Sequence, residues 1–313
     1  MLHQFRVIIN PFVLVDRDQK NPDDTWHLRR VTQRENDPSV SFNYTYPGSC
    51  FRRNDTNTNI DMYIIDTGID VNHTQFEGRA KWLANFADDE DEDCNSHGTH
   101  VAGIVGSKNY GVCVDANLYA IKVLNCRGSG TLSSVIQGIA FAFQSHSARS
   151  SQSQRVKSVV NMSLGGGRSR AIDRAVEEVM SKDSDFYMVV AAGNENSDAC
   201  DGSPSGSPYV LTVMASNKHD KRAYFSNWGK CADIYAPGVD IVSTVPGDKF
   251  AKYSGTSMAS PLTAGVLLHY LDMFEDMNMT QLVGKVKEMS TKNVISGDVE
   301  ESSSDLIFLS REN

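Results

Sequence analysis

From residue 62 to residue 309 short apolar runs alternate with stretches of helical periodicity. That alternation limits the chain to an α/β fold, a mostly parallel sheet covered on both faces. Strands are expected at 62–65, 117–124, 156–164, 186–192, 209–215 and 232–236, with a closing strand at 305–309. Helices are expected at 132–144, 171–180, 257–274 and 281–289, and another follows His97. Residues 26–61 lack periodicity and read as loop with one short helix. No linker divides the chain, and 313 residues suffice for one large core.

Charge narrows the partners. Thirty basic against 39 acidic residues leave a net charge of -9, which argues against binding nucleic acid or an anionic membrane. No window approaches the roughly 18 uninterrupted apolar residues of a membrane span. The apolar run 7–15 is a poor secretory signal, since no Ala-x-Ala-like site follows and Asp16, Arg17 and Asp18 come next. The acidic run Asp88 to Asp93 lacks the spacing of a calcium loop and reads as a solvated turn.

The chemistry lies at element ends. Asp66 closes an apolar strand, where open α/β sheets present groups to a crevice. His97 stands at a helix start. Ser257 follows Gly255 at the start of a long apolar helix, whose free amides and dipole stabilise negative charge. Serine is a weak nucleophile at neutral pH; it needs a base, and the base needs a carboxylate to fix its tautomer. Asp66, His97 and Ser257 supply those roles. Singly, each has a plainer explanation as turn former or helix cap.

Three segments, Asp66-Thr-Gly68, His97-Gly-Thr-His-Val-Ala-Gly103 and Gly255-Thr-Ser-Met-Ala-Ser-Pro261, resemble the signature blocks of the subtilase family of serine peptidases, in the order Asp, His, Ser. Tyr224-Phe-Ser-Asn-Trp-Gly229 and Asn125-Cys-Arg-Gly-Ser-Gly130 bring the resemblance closest to the proteinase K branch. It implies a subtilisin-like three-layer fold over residues 26–310. Residues 1–25 would be an N-terminal extension, a remnant of an inhibitory prosegment, with Phe12-Val-Leu-Val-Asp16 similar to that segment's last strand.

The resemblance further implies a monomeric serine endopeptidase acting on protein or peptide substrates, with no cofactor for catalysis and Asn194 in the oxyanion hole. Substrate would pair with Gly128, Ser129 and Gly130 on one side and with Ser163, Leu164 and Gly165 on the other. The first pocket would be walled by Ser163 to Gly165 and by Ala191, Ala192 and Gly193. A distant apolar pocket would hold Leu132, Val135 and Leu164, although Val135 reads equally as core. Structural calcium would bind Pro208, Val210 and Asp233, and disulfides would join Cys94 to Cys126 and Cys200 to Cys231. Cys50 and Cys113 have no counterpart. The disulfides imply an oxidising or secreted setting, where Asn43, Asn54, Asn72 and Asn278 are glycosylation acceptors by sequence. Leu262 stands where the family carries a histidine, and a change of packing is expected there. His100 follows His97 with no further cluster to make a zinc site. The alternative from another class is a catalytically silent binding protein on the same scaffold, its cleft occupied.

Overall fold

Strands such as Val156–Met162, buried at every position, cannot face water on either side, so helices must cover both faces of their sheet. The computed structural model describes residues 4–7, 13–15, 22–37, 50, 59–151, 156–299 and 301–310. Its elements begin with β1 (Gln4–Arg6), β2 (Val13–Val15), α1 (Trp26–Thr32), β3 (Asn59–Asp66), β4 (Ala80–Asn85), α2 (His97–Gly106) and β5 (Asn117–Lys122). There follow β6 (Ser129–Thr131), α3 (Leu132–Ser150), β7 (Val156–Met162), β8 (Gly166–Gly167), α4 (Arg170–Lys182), β9 (Phe186–Ala191) and β10 (Gly202–Ser203). The chain ends with β11 (Leu211–Ser216), β12 (Ile234–Pro237), β13 (Ile241–Val245), β14 (Lys249–Tyr253), α5 (Thr256–Met273) and α6 (Met279–Met289).

Seven strands form the central sheet in the order β12-β11-β9-β7-β3-β5-β4. Every neighbouring pair in it is parallel. Side chains alternate between two cores, as the two-residue period of a strand requires. In β3, Met62 and Ile64 join α2 and α5, whereas Tyr63 and Ile65 join α3 and α4. The carboxyl ends of β3, β7 and β9 therefore open on one edge of the sheet. Asp66, Ser163 and the loop that carries Asn194 stand there.

The expected strands are present except at 305–309, where Leu306 makes only isolated bridges to Tyr235 and Thr291. The short strands β1, β8 and β10, the edge strand β4 and the hairpin β13–β14 were not expected. β4 has only the three-residue apolar run 82–84, bounded by Lys81 and Asn85. The hairpin β13–β14 turns at Gly247 and Asp248, both left-handed, in a Pro-Gly-Asp sequence that is itself a turn signal. One short helix does occur in the unpatterned region, α1. Of the glycosylation acceptors, Asn72 and Asn278 are exposed. Asn43, Asn54, Phe12 and Asp16 lie outside the described residues.

Candidate active site

Asp66 ends β3 fully buried, and His97 opens α2 fully buried beside it. Their side chains meet at 2.7 Å between Asp66 Oδ1 and His97 Nδ1. The same Oδ1 accepts the Thr67 amide at 2.7 Å, which fixes the carboxylate against rotation. Close approach makes this possible: a Cβ on Gly98 would lie 2.1 Å from the carbonyl oxygen of Gly68, and Gly68 itself has φ 111°. Glycine is thus required at both positions for the helix start to reach the strand end. With Nδ1–H donated to Asp66, Nε2 is left as the basic nitrogen.

Ser257 lies in the first turn of α5. Its Oγ donates to the carbonyl of Ser163 at 3.1 Å. His97 Nε2 makes no hydrogen bond to any described residue. The hydroxyl-to-imidazole bond is therefore unmade in this arrangement. Pro261 falls inside α5 and deprives the Ser257 carbonyl of its intrahelical donor. Ser163 Oγ supplies the missing bond at 2.8 Å. The two serines thus bind each other reciprocally, tying the Ser257 backbone to the end of β7.

Asn194 is held by its amide oxygen, which accepts from Thr256 N at 2.8 Å and Thr256 Oγ1 at 3.0 Å. That assignment fixes which end of the amide is the NH2 group. The backbone N–H of Ser257, in the first turn of α5, has no acceptor within the helix. A cavity of about 220 Å3 is lined by both residues, by Ser163 to Gly165 and by Ala191 to Gly193. Glu195, Asp198 and Asp201 also line it. The sequence reading missed them, although Glu195 directly follows Asn194.

The chain's own N-terminal strand runs through the cleft. β1 pairs antiparallel with β6, Phe5 opposite Gly130 and Arg6 opposite Ser129. Arg6 N donates to Gly165 O at 3.2 Å, and Val7 N to Gly128 O at 3.0 Å. Both edges expected to hold substrate thus hold this strand. Phe5 is fully buried in a cluster that contains Val135 and Leu164, with Leu132 packed against it. Farther on, β2 pairs with β14.

A family model described as the subtilase family matches residues 58–303. The chain belongs to the subtilase family. It is 47% identical over 272 residues to the subtilisin-like proteinase Spm1 of Pyricularia oryzae, covering 83% of this chain and 49% of that protein. It is 42% identical over 301 residues to cerevisin of Saccharomyces cerevisiae, covering 90% and 46%. The chain thus spans about half the length of these relatives. The crystal structure of a cold adapted subtilisin-like serine proteinase matches with TM-score 0.78 and 37% identity over 91% of this chain and 97% of that one.

This subtilase carries both implied disulfides, Cys94–Cys126 and Cys200–Cys231. Cys50 and Cys113 are buried and unbridged, and burial pushes the Cys113 thiol well up. Leu262 is fully buried in the core shared by α2 and α5, which accommodates the departure at that position. His100 is stacked on Tyr253 with ring centroids 4.2 Å apart, its Nε2 3.0 Å from Ala251 O. Burial lowers its pKa to about 3.

The implied calcium ligands do not fit the ion as they stand. Asp233 Oδ1 pairs with Lys287 Nζ at 2.8 Å, and Oδ2 accepts Thr212 N at 2.8 Å. An ammonium already neutralises the one carboxylate of the set, and calcium prefers several oxygens of higher total charge. Among the described residues the one group with metal-ligand spacing, Asp88 with Cys94 and Cys126, is a carboxylate beside a disulfide and offers no thiolate.

Proposed function

We propose that the chain is a serine endopeptidase that cleaves extended peptides through an acyl-enzyme at Ser257. The carrying observation is the buried Asp66–His97 hydrogen bond at the sheet edge from which Ser257 and Asn194 also project. Ser257 Oγ leaves its bond to Ser163 and attacks the scissile carbonyl, while His97 Nε2 takes the proton. Asp66 stabilises the imidazolium without accepting the proton itself. Asn194 Nδ2 and the Ser257 amide receive the developing oxyanion. His97 then protonates the leaving amine, and water, activated by the same imidazole, releases the acyl group.

The relatives named as subtilisin-like proteinases support the activity. The pairing of Gln4 to Val7 supports the binding mode, in which substrate adds a strand between Gly128 to Gly130 and Ser163 to Gly165. An apolar side chain at the place of Phe5 would fill the pocket of Leu132, Val135 and Leu164. In this reading residues 1–25 act as a substrate-like inhibitory segment of a monomer, and residues 26–310 are the catalytic domain. The disulfides support an oxidising compartment. The proposal gives Asp233 to Lys287 rather than to calcium.

A fluorophosphonate probe and casein hydrolysis test the reading. Wild-type protein should be labelled and should turn over casein, while Ser257→Ala should do neither; equal labelling of both proteins overturns it.

A further inference from the structure

The acidic run Asp88 to Asp93 reads as a solvated loop, and Asp89 to Glu92 are exposed. Asp93 is not. It is 5% exposed and accepts hydrogen bonds with both oxygens. Oδ1 receives Thr67 Oγ1 at 2.8 Å, Ser96 N at 2.9 Å and Asn95 N at 3.2 Å. Oδ2 receives Thr99 N at 2.8 Å and Thr99 Oγ1 at 2.5 Å.

These donors belong to two elements. Asn95, Ser96 and Thr99 frame the start of α2, whose first residue is His97. The helix has no side-chain cap from its own N-cap residue, Ser96, which is held in a left-handed conformation at φ 83°. Of the amides such a cap would satisfy, Thr99 N donates to Asp93 and Gly98 N to the Thr67 hydroxyl that Asp93 holds. Thr67, by contrast, follows Asp66 at the end of β3. Its amide fixes Asp66 Oδ1, and its hydroxyl, while donating to Asp93, accepts Gly98 N at 2.9 Å. A second buried charge braces the same junction: Lys122 Nζ donates to Thr67 O and Glu92 O, each at 3.1 Å.

We infer that Asp93 is a positioning residue for the Asp66–His97 pair, a buried carboxylate that clamps the end of β3 to the start of α2 through Thr67. The inference rests on the proposed roles of Asp66 and His97. It goes beyond them in saying what sets the angle between the carboxylate and the imidazole. Asp93 touches neither substrate nor the reacting atoms; it acts through Thr67 and the Ser96 backbone. The amide of Asp93→Asn keeps the shape but presents a donor to donors, so at least one strut of the clamp must break.

Peptide hydrolysis by wild type, Asp93→Asn, Thr67→Val and Thr67→Ser tests it. Displacing a catalytic group by a fraction of an ångström to 1 Å lowers turnover by roughly 30- to 100-fold. Asp93→Asn and Thr67→Val should lose that much in kcat with KM within about twofold of wild type. Thr67→Ser, which restores the hydroxyl, should recover most of it. Should Asp93→Asn fail to fold, the two Thr67 variants decide alone. The low-field proton resonance of the His97 Nδ1–H···Asp66 bond should be sharp in wild type and Thr67→Ser and displaced or lost in Thr67→Val. Unchanged kcat and an unchanged resonance in a folded Asp93→Asn or Thr67→Val overturn the inference. If wild type itself shows no turnover that depends on Ser257, the peptidase reading fails, and the resonance still judges the clamp.

Discussion

Asn194 is held by two bonds to Thr256, and those bonds decide what it contributes. With the amide oxygen accepting from Thr256 N and Oγ1, the NH2 group is the end that can donate to an oxyanion in the proposed mechanism. Because the donor is already oriented, no reorganisation is needed when charge develops, which is the condition for a large effect. Asn194→Ala should therefore lower kcat about 100- to 1,000-fold while leaving KM little changed. Steady-state kinetics on a peptide ester and a peptide amide measure the split. A loss confined to KM would mean that Asn194 binds substrate and does not stabilise the transition state.

The helix that bears Ser257 is broken by Pro261 and mended by Ser163. Removal of the Ser163 hydroxyl leaves a buried carbonyl unsatisfied, a cost of about 1–3 kcal/mol. Ser163→Ala should lower the melting temperature by about 3–8 °C. It should also slow turnover, since the Ser257 backbone loses its tie to β7; scanning calorimetry with kinetics on the same sample checks both. Helix α6 offers a second test at this scale, through Lys287 and Asp233. Calcium should leave the wild-type melting temperature within about 1 °C, because a ligand stabilises only where it binds the native state. Lys287→Met frees the carboxylate and should make melting calcium-responsive, and a wild-type rise in calcium would remove the lysine from its assigned place. Most elements were legible because buried parallel strands are written as unbroken apolar runs. β4 was not, since Lys81 and Asn85 interrupt it at an edge of the sheet. Asp66, His97, Ser257 and Asn194 stood out because each ends or begins an element in a short motif. Asp93 could not stand out: nothing local separates it from Glu92, and only the fold turns one inward and the other to water. Lys287 was hidden likewise, as one of several lysines on a polar helix whose partner lies in a different part of the chain.

Acid should unfold the whole molecule through two histidines that catalysis does not use. His27 on α1 and His100 on α2 are buried, and burial lowers their pKa values to about 4 and about 3. Each is held neutral by position, His27 Nε2 against Tyr110 O at 3.2 Å and His100 Nε2 against Ala251 O. In the unfolded chain both titrate near the ordinary value of about 6.5. Above that pH both states are neutral and nothing changes. Below it the unfolded chain binds protons that the native state refuses, so stability falls as pH drops toward the folded values. The slope is about 1.4 kcal/mol per pH unit for each histidine. Asp61 and Asp93 act in the opposite sense, since burial raises both and the native state keeps their protons longer. Their contribution begins only where carboxylates titrate, which leaves the histidines dominant as pH first falls below about 6.5. Urea midpoints for Ser257→Ala protein, used to prevent self-digestion, should therefore drop steeply between about pH 6.5 and pH 5. His27→Gln with His100→Gln in that background should flatten the slope by roughly 2–3 kcal/mol per pH unit, whatever the double variant costs at neutral pH. If the parent and the double variant lose stability in parallel over that range, these two histidines are not what makes the fold sensitive to acid.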